Sequence, residues 1–187
     1  LIKNKIFIIK RFNKDGGKAM GEKTEANLRQ AFAGESQANR RYLFFADKAD
    51  KEGLPQVARL FRAAAEAETV HAYNHFNAMT GIGTTVDNIS AAVIGEHQEF
   101  TRMYPLMIDQ AADEQAEKAQ TSFEWANSVE QIHYNLFQDM LKAVKAKQTI
   151  QNAPYYVCPL CGNTVLGQAP DRCPICGTAG KKFKKIE

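Results

Sequence analysis

The sequence has no apolar run long enough to cross a bilayer. Ile6-Phe7-Ile8-Ile9 is too short for the core of a secretion signal, and no small-residue cleavage site clearly follows it. Little charge is left over: the formal net charge is +3 in 187 residues. Residues 1–19 hold that excess, with Lys3, Lys5, Lys10, Arg11, Lys14 and Lys18 against Asp15 alone; +3 less this +5 leaves the remainder near −2. Such a body has no nucleic-acid footprint. Cysteine is absent before residue 158 and then comes as two Cys-x-x-Cys pairs. Without an export signal, that pattern suggests metal rather than disulfides. No dinucleotide-binding fingerprint is present, so the chain itself should not bind a nicotinamide. These absences predict a cytoplasmic protein with neither membrane nor nucleic acid among its partners.

The length suffices for one good core, or for one core plus a small stapled module. The chain starts at Leu1, and Met20-Gly21-Glu22-Lys23-Thr24 looks like a more natural beginning. Residues 1–19 are therefore expected to be an upstream extension without a role in the chemistry.

Four helical segments follow. The first is expected from about Glu22 to Glu52, with Leu28, Phe32, Glu35, Asn39, Tyr42, Ala46 and Ala49 on one stripe. Gly53 should end it, and Pro55 suits the first turn of the second helix, which runs to about Met79. Its stripe includes Leu60, Ala64, Glu68, His71 and His75, and Gly81-Ile82-Gly83 breaks it. The third begins near Asp87 or Ser90, carries Val93, Glu96, Phe100 and Met103, and ends near Ala112. Pro105 should kink it. The fourth, from about Glu114 to Lys147, lines up Phe123, Ala126, Glu130, His133 and Phe137. The link between the second and third segments is the longest and could cross a bundle; the other two are short, which makes neighbours antiparallel.

Glu35, Glu68, Glu96 and Glu130 all stand where an apolar residue is expected. Four unpaired carboxylates in one core would be very costly, and a bound dication or two removes the cost. Two of them open Glu-x-x-His motifs, Glu68-Thr69-Val70-His71 and Glu130-Gln131-Ile132-His133. Three residues along a helix return a side chain to nearly the same face, so each pair can bind one metal or two adjacent metals. Two such pairs, plus a Glu from each of two more helices, form the inward-facing ligand set of a dinuclear carboxylate centre in a four-helix bundle. Oxygen-rich ligands with one imidazole per metal suit iron or manganese; zinc is possible on ligand type but makes no use of redox flexibility.

Glu99 lies three residues after Glu96 and adds a second carboxylate to the third helix. It could ligate metal in one oxidation state and let go in the other. His75 and His97 have no Glu three residues before them and are expected beside the ligands or at the surface. Tyr42 and Tyr104 are phenols that could bond a ligand carboxylate, or core tyrosines with satisfied hydroxyls.

Cys158-Pro159-Leu160-Cys161-Gly162 and Cys173-Pro174-Ile175-Cys176-Gly177 are two matching knuckles. Four thiolates so spaced make a tetrahedral site for zinc or iron. Glycine after the second cysteine permits the tight turn, and backbone N–H groups there can bond to the sulfurs. The segment 155–187 is too small to fold on an apolar core, so the metal should staple it.

From about residue 22 to the end, this ordered set resembles the rubrerythrins. The matching pieces are Ala33-Gly34-Glu35, Ala67-Glu68-Thr69-Val70-His71, Gly95-Glu96-His97-Gln98-Glu99 with Met103-Tyr104-Pro105, Glu130-Gln131-Ile132-His133, and the double Cys-Pro-x-Cys-Gly tail. The resemblance implies a mainly α fold: a ferritin-like four-helix bundle followed by a small rubredoxin-like domain with a four-cysteine metal site. The implied division is an extension over 1–19, the bundle over 20–147, a linker over 148–154 and the rubredoxin-like domain over 155–187. It implies a non-haem di-iron peroxidase that reduces hydrogen peroxide and protects against oxidative stress. Two irons would occupy the carboxylate centre and one the Cys158, Cys161, Cys173 and Cys176 site, with zinc or manganese as substitutes. Glu68 and Glu130 would bridge, Glu35 would serve the first iron, and Glu96 and His133 the second. The first iron would exchange Glu99 for His71 on reduction, and Tyr42 is placed with these catalytic groups. The implied partners are a second copy in a homodimer, with helix exchange as an option, and an external reductase or a separate rubredoxin drawing on NADH or NADPH.

Two rivals remain open on sequence. One is another ferritin-like activity, iron storage or a manganese catalase; Glu99 and the cysteine tail argue against storage. The other is a zinc-ribbon interaction module on a metal-loaded bundle.

Overall fold

The computed structural model describes residues 20–187, so the proposed extension over 1–19 lies outside the described residues. The chain divides into two compact units, one ending at Ile82 and the other spanning Gly83–Glu187.

The first unit is an antiparallel pair of helices, α1 (Glu22–Lys51) and α2 (Pro55–Ala78). Glu22 and Glu25 in the first turn of α1 and Lys48 and Lys51 in the last complement its dipole. Gly53 takes φ 74, its N–H bonds to the Asp50 carbonyl, and the Leu54 N–H reaches back to Ala49. This is a Schellman turn, with Pro55 opening the next helix as the sequence suggests. The buried contacts are small: Ala46, Ala49 and Ala58 form the core, with Phe61 packed against them. Alanines at the crossing let the two backbones approach closely, and longer side chains close the flanks. Phe32 stacks on Phe76 at 4.9 Å, and Asn39 Nδ2 donates to the Ala65 carbonyl at 2.7 Å. Phe44, Leu60, Val70 and Tyr73 remain exposed.

In the second unit, α3 (Thr85–Gln98) starts earlier than Asp87. Thr84 caps it: its hydroxyl accepts from the Asp87 N–H, while the Asp87 carboxylate accepts from the Thr84 N–H. The expected kink at Pro105 takes a different form. A π-helical turn, Glu99–Met103, separates α3 from α4 (Tyr104–Asp113), and Pro105 falls in the first turn of α4. Proline lacks the N–H that a continuous helix needs and collides with the carbonyl four residues back. One wider turn absorbs both problems. α5 (Glu117–Lys145) starts three residues later than expected because Glu114 caps the end of α4 and Gln115 turns left-handed at φ 56.

Residues 148–154 form neither helix nor strand. A small antiparallel sheet follows, with β1 (Tyr155–Val157) between β2 (Thr164–Leu166) and β3 (Lys184–Ile186). Its core is Cys158, Cys173 and Phe183, with Tyr156, Val165 and Ile175 around them. Buried sulfurs thus occupy the place of an apolar centre. Gly180 lies so close to the Pro170 carbonyl that a Cβ would stand 1.8 Å from its oxygen. Among the described residues, no helix is long and apolar enough to cross a membrane.

Candidate metal centres

Among the described residues, metal-binding side chains gather in three groups, two of them set by helical phase. In the first unit, Glu35 from α1 meets Glu68 and His71 from α2; in the second, Glu96 from α3 meets Glu130 and His133 from α5. Within each group the donor atoms lie within 4.8 Å of one another. Each Glu-x-x-His pair closes on itself. His71 Nδ1 lies 3.0 Å from Glu68 Oε2, and His133 Nδ1 lies 2.8 Å from Glu130 Oε2. Glu96 Oε2 is 3.8 Å from His133 Nδ1.

Electrostatics mark both groups as cation-seeking. Among the described residues, no Lys or Arg pairs with Glu35, Glu68, Glu96, Glu99 or Glu130. Burial, then the hydrogen-bonding contact and like charge of Glu130, push the Glu96 carboxyl up to about 7. Burial and the Glu130 charge also raise Glu99. Glu35 is raised mainly by sharing a proton with Glu68, while Glu68 is lowered by hydrogen bonds from His71 and Glu35. His133 is raised because its imidazolium bonds Glu130. Protons are standing in where a dication would bind all these oxygens at once. The donor chemistry therefore fits iron or manganese at each group.

Glu99 opens the π-helical turn and lies outside the close group of three, yet it feels Glu130 and His133. Tyr104 is half-buried near the same carboxylates: partial burial, then Glu130, Glu99 and Glu96, raise its phenol. Tyr42 packs its ring between Phe45 and Phe61, at 6.4 and 6.0 Å. His97 packs on Phe100 and Tyr134, and His75 is near enough to lower Glu35 by its charge.

The third group is Cys158, Cys161, Cys173 and Cys176. Cys158 Sγ stands 3.5 Å from Cys176 Sγ, and Cys161 Sγ stands 3.5 Å from Cys173 Sγ. A tetrahedron with metal–sulfur arms of about 2.3 Å has edges of about 3.8 Å, so little movement is needed to close on an ion. Gly162 and Gly177 take φ 84 and 75. Their own N–H groups go to the Cys158 and Cys173 carbonyls. Burial raises Cys161, and the Asn163 backbone offsets that only in part; burial opposes Cys176 too, but the Thr178 hydroxyl and backbone help bring it below the usual thiol range. Burial also opposes Cys173, and the N–H groups of Cys176 and Ile175 help bring it below the usual thiol range. Asn163, itself buried, points Nδ2 at Cys173 Sγ at 3.7 Å.

One contact ties two of these centres together inside the second unit. His133 Nε2 lies 2.9 Å from the hydroxyl of Thr164 on β2, and that hydroxyl donates to the Gly162 carbonyl at 3.0 Å. Sequence reasoning had no means of finding Thr164. It lies 31 residues from His133 and belongs to no motif.

Fold and donor sets together define a class: a ferritin-like helical protein with carboxylate–histidine metal groups, joined to a rubredoxin-like four-cysteine domain. Comparison with known proteins narrows it. The rubrerythrin family profile matches residues 26–141, and the profile of the rubrerythrin rubredoxin-like domain matches residues 156–184. The chain belongs to the rubrerythrin family, whose members are iron-binding oxidoreductases. It is similar to rubrerythrin-2 of Clostridium acetobutylicum, 36% identical over 171 residues, which cover 84% of this chain and 93% of that one. It is also similar to the rubrerythrin of Nitratidesulfovibrio vulgaris, 33% identical over 182 residues, covering 89% and 95%. Among solved structures, partially reduced nigerythrin aligns with a TM-score of 0.53 at 28% identity, over 94% of this chain and 92% of that one.

Proposed function

We propose that this protein is a peroxidase, converting hydrogen peroxide, two electrons and two protons to two waters as a defence against oxidative stress. The observation that carries this is the contact of His133 with Thr164 of the four-cysteine module, which would put an electron carrier beside a carboxylate metal group. A storage protein has no use for that carrier. Iron at the carboxylate groups would supply the two electrons to the O–O bond, and iron at Cys158, Cys161, Cys173 and Cys176 would return them singly.

Glu68 and Glu130 would bridge the metals, with Glu35 on one and Glu96 and His133 on the other. Glu99 and His71 would alternate on the first metal. Free movement suits both: His71 is exposed, and Glu99 begins a turn wider than a regular helix. Tyr104 stays protonated beside Glu96, Glu99 and Glu130 and can donate to them. Tyr42 would steady a ligand carboxylate of the first group from α1.

The further partners are an external reductase or a separate rubredoxin, drawing on NADH or NADPH, and a second copy of the chain. Each helical pair carries only half of a dinuclear ligand set and exposes apolar side chains such as Leu60 and Leu106. A homodimer, with helices exchanged between copies, would cover them. Electrons would then enter whichever centre contains this chain's own His133.

Metal analysis with anaerobic peroxide turnover, using a rubredoxin reductase as donor, tests the proposal. The expected result is iron in both kinds of site, a red oxidised protein, and peroxide-dependent NADH oxidation. A colourless, zinc-loaded protein from native cells would overturn it in favour of an interaction module.

A further inference from the structure

Thr164 begins β2, where it pairs with Val157 of β1, so the sheet of the four-cysteine module fixes its position. Its hydroxyl has two partners, the Gly162 carbonyl at 3.0 Å and His133 Nε2 at 2.9 Å. A hydroxyl carries one proton. The Gly162 carbonyl can only accept, so the proton is committed there, and the hydroxyl must accept from His133. Nε2 therefore carries hydrogen, and when a metal takes the place of the Nδ1 proton that bonds Glu130, the lone pair of the neutral ring is on Nδ1. Nδ1 is the atom that faces Glu130 Oε2 at 2.8 Å and Glu96 Oε2 at 3.8 Å.

We propose that Thr164 is a positioning residue lent by the four-cysteine module: it locks the His133 ring with Nε2 protonated and the Nδ1 lone pair turned toward the carboxylates. This rests on reading Glu96, Glu130 and His133 as metal ligands. A ligating histidine commonly donates its other N–H to a nearby acceptor, which fixes tautomer and ring orientation. Here that acceptor comes from a different module and bonds onward to the residue after Cys161. Metal affinity at Glu96, Glu130 and His133 then depends on a folded, metal-loaded four-cysteine module. By linkage, metal at the carboxylates holds that module in place. His71 differs: among the described residues its hydrogen-bond partner is Glu68 alone.

The test uses the full chain with its four-cysteine site loaded. In anaerobic ferrous titrations, Thr164→Val should weaken binding at the carboxylate group about tenfold to a hundredfold, and Thr164→Ser should restore it to within about twofold. Two-bond proton–nitrogen spectra of the zinc-loaded protein should show His133 protonated at Nε2 and metal-bound at Nδ1. Wild-type affinity in the valine variant, or a ring protonated at Nδ1, would overturn the proposal. Should the valine variant lose the metal held by its cysteines, the wild-type spectrum decides alone. A wild-type protein that takes no metal at the carboxylates would defeat the metal-site reading, while slow exchange of the His133 Nε2 proton in the metal-free imidazolium, lost in Thr164→Val, would still show whether Thr164 holds that nitrogen.

Discussion

The two Glu-x-x-His groups use the same donors at the same spacing, yet they are held differently. His71 is 55% exposed and bonds one partner; His133 is 29% exposed and has both ring nitrogens engaged. Glu35 and Glu68 shift in opposite directions: Glu35 is raised chiefly by its hydrogen bond with Glu68, while Glu68 is lowered first by His71 and then by Glu35. Glu96 and Glu99 both shift upward, because burial acts on both and neither has a nearby cation beyond His133. The difference lies in the partners within each unit: Thr164 on β2 of the four-cysteine module engages His133 in the second, whereas Glu68 is the hydrogen-bond partner of His71 among the described residues of the first. A motif thus defines which atoms can bind, and the packing above it decides how firmly they are held.

The largest expected effect comes from removing a shared ligand. Glu68→Ala should abolish dinuclear iron and lower peroxide turnover at least about a hundredfold, while the red colour of the thiolate-bound iron stays. Iron analysis and turnover check this; undiminished turnover would remove Glu68 from its bridging role.

A smaller, asymmetric effect separates the histidines. His133→Ala should weaken iron binding in both oxidation states, about tenfold to a hundredfold. His71→Ala should weaken only the ferrous state. Titrations of reduced and oxidised protein would show it, and equal losses in both variants would erase the distinction between an anchored and a mobile ligand.

The smallest effect is the pH dependence of the metal-free protein. The fold holds the Glu96 carboxyl at about 7 against an ordinary 4.5, so the unfolded chain ionises first and stability falls as pH rises through that range. His133 is also raised: its contribution is complete below its ordinary 6.5 and is lost as pH climbs through its folded value. Both act in one direction on the second unit, while Glu35 and Glu68 oppose each other in the first. Hydrogen exchange in chelator should therefore show α3 and α5 loosening between about pH 5 and 8 more than α1 and α2. The reverse order would mean that burial does not govern these carboxyls.

Much of this was legible because helical periodicity is local. Glu35, Glu68, Glu96 and Glu130 interrupt apolar stripes, and the interruption is visible without coordinates. The α1–α2 turn was equally plain, since Gly53 and Pro55 have conformations few other residues favour. The other C-terminal helix ends fell within two residues of expectation, but their turn geometry was not legible: Thr80, Gln115 and Lys147 take φ of 51, 56 and 51, where a side chain costs about 1–2 kcal/mol. The π-helical turn was half visible: Pro105 announced a disturbance, but not the widened turn over Glu99–Met103 that precedes it.

The sequence by itself determined the chemistry on offer: carboxylates and imidazoles three residues apart on helices, and thiolates in two knuckles. Such spacings are fixed by the geometry of one helix or one turn. Tertiary structure alone decided that Thr164 meets His133, that Glu96 is buried enough to hold its proton to about 7, and that His71 is left open. Those outcomes depend on which surfaces cover one another, and residues 31 positions apart carry no local sign that they will touch.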